Sequence, residues 1–447
     1  MNQATGSPGM IGRFRQALRA SPPLAWAFLY FFCLLTGYYI LRPVREAMSS
    51  SNDIRTIFPP EMIAFFAARG MALKDFTLQV IFTCVFLIML LLQPLYGALV
   101  SRFPRRVFLP VVYGFFIVTL LGFYVMFDSG VAGRGMAFIL WITVFNLFAV
   151  AVFWSFMADV FSDAQARASY GYIGAAGTLG ALAGPLLTRL LVDRIGIANL
   201  MLVSAGFLLM CLLCIYRLRW WAVQREQAHH LASGEVPMGG DILGGLKLIA
   251  REPLLRWMAV MVVSGVGVGT LLYNEQAAIA RAAFSTADQS TRYFSGIDLA
   301  VNGLTLVVQL LLTRMLLTRY GIAPALLIPG AAIILGYAAL AASPLPMMVA
   351  IVQVVTRAGE FSLAKPARET IYTRVPREWR YKAGAAIDTV IYRGGDLSFV
   401  WLHKLLSAFG SQVVFGAGLV VASGMTAGAL CLLRQASKLP AERPHTS

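Results

Sequence analysis

Residues 76–106 read FTLQVIFTCVFLIMLLLQPLYGALVSRFPRR. From Phe76 to Val100 no side chain is charged, and the stretch then closes on Arg102, Arg105 and Arg106. The hydrocarbon core of a bilayer is about 30 Å thick and takes about 20 helical residues to cross. The run is long enough for that. A backbone in lipid finds no water to bond, so it satisfies its own N–H and C=O groups, which for a single segment means a helix. Arginines at its end stay in the polar interface, with their stems laid along apolar surface.

Working outward from this run, eleven more of the same kind fall near 24–41, 107–126, 136–158, 170–192, 196–216, 254–280, 294–317, 322–341, 345–364, 385–407 and 411–433. Twelve crossings account for the bulk numbers: 58% hydrophobic residues, 13% charged and a mean hydropathy of +0.72. A soluble chain is nearer half apolar and a quarter charged. The expected fold is all-α and membrane-integral, with twelve transmembrane helices in two six-helix bundles. The expected divisions are a terminus at 1–23, a first bundle at 24–216, a linker at 217–253, a second bundle at 254–433 and a tail at 434–447.

The net charge of +16 raises the question of nucleic acid. The charges are spread between apolar segments, with no zinc-finger spacing and no basic domain, so no nucleic-acid polymer is expected as a partner. They orient the chain instead. With the termini and the even-numbered connections on one side, that side holds 24 Lys and Arg against 11 on the other. By the positive-inside rule both termini and the 217–253 linker are expected in the cytoplasm, and the membrane is expected to be the inner one. Arg13, Arg15 and Arg19 precede the first run, which ends on Arg42-Pro43-Val44-Arg45-Glu46 without an A-x-A-like cleavage site, so that helix is expected to be kept. Cys33, Cys84, Cys211, Cys214 and Cys431 all fall in apolar runs and read as packing residues. No metal and no cofactor are called for. An internal echo, TRLLVDRIGIA at 188–198 and TRMLLTRYGIA at 313–323, points to repeated architecture.

Three kinds of motif carry the functional reading. Gly97, Arg102, Arg105 and Arg106 are spaced like the G-x-x-x-D-R-x-G-R-R loop of the major facilitator superfamily, which they resemble, with Ser101 and Pro104 replacing the aspartate and glycine. The resemblance implies a cytoplasmic gate, whereas charge alone accounts for the arginines as topology anchors. Gly171, Gly180, Gly184 and Pro185 resemble the fifth-helix signature of facilitator antiporters. Glycines at such spacing also let helix backbones approach closely. Gly265, Gly267 and Gly269 loosen the seventh run ahead of Tyr273 and Glu275. An acidic group there is a functional hypothesis by default, since an unpaired one costs about 2.5–3.5 kcal/mol on insertion scales.

The third kind is a set of charged stretches: Leu41-Arg42 with Arg45 and Glu46; Ser362-Leu363 with Pro366, Arg368, Glu369 and Tyr372; and Ala385-Ala386-Ile387-Asp388 with Val390. Together they resemble the ATP/ADP translocase family of plastids and intracellular bacteria. Asn146 occupies the place of that family's acidic residue in the fourth helix, and Asp396 that of its lysine in the eleventh. The resemblance implies a nucleotide exchanger. Independently of it, arginine grips phosphate or carboxylate with a planar fork and stays charged when dehydrated. Arg42, Arg45, Arg357 and Arg393, with Glu46, Tyr273, Glu275, Glu369 and Asp388, therefore form the candidate substrate set. Intramembrane ion pairs with Glu360, Asp388 or Asp396 are the competing role for Arg357 and Arg393.

Three functions follow as expectations. The first is a secondary transporter exchanging a small anionic solute, nucleotide or phosphorylated, by alternating access. The second is a carrier of another organic solute, proton-coupled through Glu275, Asp298 or Asp388. The third is a membrane-embedded sensor. An enzyme is not expected, because the chain has four histidines and lacks H-E-x-x-H, G-x-S-x-G and Walker patterns. Lipid is the expected surrounding partner, and the oligomeric state is open.

Overall fold

The structure, a computed structural model, describes residues 21–102, 105–161, 163–229, 242–313, 315–372, 375, 379 and 383–438. The described elements are helical. The spanning helices are α1 (Pro23–Ser49), α2 (Thr77–Arg102), α3 (Arg105–Asp128) and α4 (Arg134–Val160), followed by one long element, Asp163–His229. Gly196 breaks that element at φ 74°, ψ 170°, a backbone that L side chains rarely adopt, so it comprises α5 before the glycine and α6 after it. α7 is Pro253–Ala283. α8 is Ala287–Val308, extended by π turns at Gln309–Thr313 and Leu316–Tyr320. α9 is Ile322–Ala342. α10 runs Pro346–Gly359, through a π turn at Glu360–Ala364, to Lys365–Tyr372. α11 comprises Gly384–Ala386, a π turn at Ile387–Ile391 and Tyr392–Ser407; α12 is Ser411–Ala436.

Ten described helices are long and apolar enough to cross a membrane, and one of them, Ser169–Trp221, contains both α5 and α6. α11 completes the twelve; Asp388, Arg393, Asp396 and Lys404 make it too polar to stand out by hydropathy. Proline opens α1, α7 and α10 at the first helical turn, where its missing N–H costs nothing. The sequence echo has a structural counterpart: Gly196 and Gly321 hold matching positions in it, and both turn the chain into the next helix at positive φ, 74° and 77°.

The chain groups into two compact units. One takes residues up to Ala64, Ile88–Glu235 and Thr286–Leu299; the other takes Phe65–Leu87, Val236–Ser285 and Ala300 onward. The core of the first is aromatic. Tyr30 donates to the Tyr113 hydroxyl at 2.7 Å, Phe31 stacks on Phe153 at 4.3 Å, and Trp141 lies parallel to Phe145 at 5.4 Å. Cys211 and Cys214 are buried free thiols beside this core. The second core centres on Tyr337, fully buried, whose hydroxyl donates to the Val268 carbonyl at 2.6 Å. Its ring occupies the space that a side chain at Gly418 would need.

Two segments have more helix than their polarity suggested. α6 continues to His229, and Ile242–Arg251 folds as an amphipathic helix whose Leu246, Leu248 and Ile249 pack on the second core. Between α1 and α2, Asp53 caps Ile54–Ile57 by accepting from the Arg55 N–H at 3.0 Å and the Thr56 hydroxyl at 2.7 Å. The Thr56 bond above all holds the Asp53 carboxyl below the ordinary carboxylate range.

Candidate transport site

In the first unit the charged end of α1 is positioned by glycines. A Cβ at Gly180 would meet the Phe32 carbonyl at 2.6 Å, and one at Gly184 would meet the Tyr39 Cβ at 2.5 Å. Only glycine lets α5 lie this close to α1. Gly177 likewise faces the Phe31 ring, while Gly171 and Gly174 have open space around them. The Thr188 hydroxyl donates to the Ile40 carbonyl and the Ser204 hydroxyl to the Gly37 carbonyl, both at 3.0 Å. These contacts fix the last two turns of α1, which carry Arg42, Arg45 and Glu46.

Arg42 is largely buried, its side chain 15% exposed. Its Nε lies 3.6 Å from Asp298 Oδ2 on α8 and 4.0 Å from Glu46 Oε1, one turn further along α1. The guanidinium sits 5.6 Å from the centre of the Tyr39 ring, within cation–π range. Arg42 Nε makes no hydrogen bond among the described residues. Arg45 pairs with Glu46. At Nε, then, Arg42 is held to Asp298 by charge attraction without a formed hydrogen bond.

Among the described residues of the second unit, three groupings of charged side chains stand out. Buried Arg368 pairs with Asp388 at 3.1 Å and with exposed Glu369 at 3.7 Å. This links the two motifs resembling the translocase family, each beside a π turn, a helix irregularity frequent at functional sites. Arg393 lies 3.4 Å from Asp396 and 5.6 Å from the centre of the Tyr392 ring, while Thr270 on α7 donates to Asp396 at 2.9 Å. Glu275 on α7 meets His403 on α11 at 2.8 Å, both buried. Tyr273 packs its ring 6.1 Å from Phe82 on α2. Arg357 is half-buried on α10, just ahead of the π turn at Glu360–Ala364.

Thus Arg42, Arg45 and Glu46 share one cluster, Glu369 and Asp388 share Arg368, and Arg393 has Asp396. Gly97 lies in α2, Arg102 ends it, and Arg105 and Arg106 open α3. Their side chains, with Phe103 and Pro104, lie outside the described residues. The glycines of the seventh run divide: Gly267 receives the Phe399 ring of α11, Gly265 touches Met425, and Gly269 has open space. The candidate set drawn from the sequence omits four charged or titratable members of these groupings: Arg368, Asp298, His403 and Asp396, the last weighed only as an ion-pair partner. Arg368 was legible as a motif residue, Asp298 as a buried acid, and His403 only as a solitary histidine in an apolar run.

Apolar helices long enough to cross a bilayer, with ion pairs among them, make this a multi-pass membrane protein. The chain belongs to the major facilitator superfamily, whose family model matches residues 27–398. It is similar to the crystal structure of an auto-inhibited POT family peptide transporter (TM-score 0.60, 13% identity, 95% of this chain and 99% of that one). It is also similar to a D-xylose-proton symporter (0.58, 14%, 90% and 96%) and to the nucleoside transporter NupG (0.55, 13%, 94% and 98%). At these identities the likeness is one of fold. No curated protein matches the sequence. The chain is a secondary transporter of the facilitator type, in a lipid bilayer and acting on a small solute.

Proposed function

We propose that this carrier exchanges a small anionic solute, a nucleotide or other phosphorylated compound, by alternating access and without hydrolysis. The observation that carries the reading is Arg42, a buried guanidinium held by Asp298 at 3.6 Å with no hydrogen bond from its Nε among the described residues. A phosphate or carboxylate forming two charge-assisted bonds with that fork would displace Asp298 as its partner. The site then passes between an internally neutralised empty state and a solute-neutralised loaded one, which suits exchange. Arg45, Arg357 and Arg393 are the further cations of the set. The resemblance of the α1, α10 and α11 motifs to the translocase family supports the nucleotide class. Gly97, Arg102, Arg105 and Arg106, with Gly180, Gly184 and Pro185, are proposed to serve the gate. Loop charge supports cytoplasmic termini, a cytoplasmic 217–253 linker between bundles 24–216 and 254–433, and residence in the inner membrane.

Thermal shift of the purified protein with ATP, ADP, inorganic phosphate and neutral nucleosides tests this, since a ligand at about 100 times its Kd stabilises by about 2.7 kcal/mol. Phosphorylated probes should raise the melting temperature. Arg42→Lys, which lacks the bidentate fork, should weaken the response severalfold, and Arg42→Ala should abolish it. Stabilisation by the neutral nucleosides alone would refute the anionic reading and favour a carrier of another organic solute.

A further inference from the structure

We propose that the connection from α1 to α2 is an interfacial lipid anchor, with residues 60–72 lying in the membrane surface and the Phe65 ring immersed in the leaflet at that face. The inference rests on this connection alone and does not depend on which solute is carried.

The connection changes character at Pro59. Before it the chain is fastened to the protein, with Thr56, Ile57 and Phe58 buried. The Gly133 N–H donates to the Arg55 carbonyl at 2.8 Å, and a Cβ at Gly133 would stand 2.9 Å from the Pro59 nitrogen. In the first turn of α4, a Cβ at Gly135 would lie 3.1 Å from the Ile57 Cα. Pro59 is therefore held at the end of a spanning helix. After it, no residue from 60 to 72 is buried, and Leu73 is the next that is.

That uncovered segment reads PEMIAFFAARGMA, with Glu61 and Arg69 its only charges. It is built rather than loose. Pro60 opens the helix Pro60–Ala67 at its first position, where a missing N–H costs nothing. The end is closed by Gly70 at φ 73°, where the Met71 N–H donates to the Phe66 carbonyl at 3.1 Å and the Gly70 N–H to the Ala67 carbonyl at 3.0 Å. This pair of bonds satisfies the last carbonyls and needs the positive φ that glycine allows. Met62, Ile63 and Phe66 share one half-covered face, while Ala64, Phe65 and Ala68 share an exposed one. Phe65 is 52% exposed and Met71 38%.

An uncovered apolar segment marks a surface for protein or membrane. Position and chemistry favour membrane here. The helix starts beside the end of α4, and the chain after it runs straight into α2, so it lies at the boundary of the bilayer. α2 then carries Leu87, Leu90 and Leu91 exposed along the span, which continues the lipid-facing surface. Arg69 lies over the Phe65 ring, 3.4 Å from its centre, and donates to the Phe65 carbonyl at 2.8 Å. A cation held this way keeps its head in the polar layer while its apolar neighbours go deeper. Along the connection Asp53, Glu61 and Asp75 balance Arg55, Arg69 and Lys74. With no excess of positive charge, attachment is by apolar burial and a zwitterionic lipid suffices.

The test uses the full chain in nanodiscs of phosphatidylcholine. With p-benzoylphenylalanine at position 65, illumination should give a phosphatidylcholine adduct in the intact mass spectrum. Its yield should stay within about twofold when phosphatidylglycerol or salt is added, since screening acts on charge and not on apolar burial. In a second measurement the five cysteines are changed to serine and a nitroxide is attached at Ala68→Cys. Oxygen should reach that label severalfold better than a water-soluble nickel chelate does, as at Leu91→Cys on α2. The crosslink keeps the native cysteines, so it decides the matter if the cysteine-free chain does not fold. Absence of a lipid adduct overturns the proposal. Nickel access exceeding oxygen access at Ala68→Cys also overturns it, leaving the face to water or to a protein partner. A yield that depends on phosphatidylglycerol would replace the apolar anchor by an electrostatic one.

Discussion

The two units hold their buried charges in different ways. In the first, Arg42 and Asp298 join α1 to α8 through a guanidinium that keeps its charge at any physiological pH. In the second, Glu275 and His403 join α7 to α11 through a carboxylate and an imidazole nitrogen 2.8 Å apart. Burial differs too: the Asp298 side chain is 2% exposed, whereas Arg393, in the third pair, is 36% exposed. The comparison predicts that the cost of breaking each contact follows its depth.

That ordering can be broken by mutation. Asp298→Asn leaves the Arg42 guanidinium without its nearest carboxylate, and removing one partner of a buried pair costs about 3–5 kcal/mol. The double variant Arg42→Met/Asp298→Leu should recover most of that loss, because it removes both charges. Thermal melts in detergent measure both, and a double variant no more stable than Asp298→Asn would mean the pair is not the source of the loss. His403→Gln should cost less, about 1–3 kcal/mol, since it removes one hydrogen bond to a charged group while a neutral amide takes its place. A loss as large as that of Asp298→Asn would erase the distinction between the two units. Arg393→Ala should cost least, below about 1 kcal/mol, because its pair is part-exposed and Thr270 still donates to Asp396. If its melting temperature falls as far as that of the His403 variant, exposure does not set the ranking.

Much of the architecture was legible along the chain, because lipid imposes a local rule: about twenty apolar residues per crossing. The glycines of α5 were legible as a groove, and the structure shows which face uses it: Gly177, Gly180 and Gly184 do, while Gly171 and Gly174 do not. The 188–198 and 313–323 echo foreshadowed matched turning glycines. The site was legible only in part. Arg42 and Glu275 stood out because a charge among apolar neighbours is visible in one dimension, but their partners were not. Hydropathy fixes which residues enter the membrane; which buried acid faces which buried base depends on how helices far apart in sequence pack. His403 carried little signal, since a lone histidine in an apolar run more often marks packing. The π turns of α8, α10 and α11 follow no local residue code.

The distance along the chain between Arg42 and Asp298 has a consequence for biosynthesis. Asp298 is made 256 residues after Arg42. At roughly 5–20 residues per second, the ribosome needs about 13–50 s to deliver it. Through that interval the guanidinium of α1 has no Asp298 to pair with. Glu46, four residues on and 4.0 Å away in the finished fold, emerges within about a second and can serve as an interim partner. Asp298 would then take over when α8 arrives. In a nascent chain truncated before residue 298, Glu46→Gln should lower membrane insertion of α1, whereas in the full-length chain the same change should matter less. Equal insertion of both truncated chains would show that the first helix needs no such chaperone of its own.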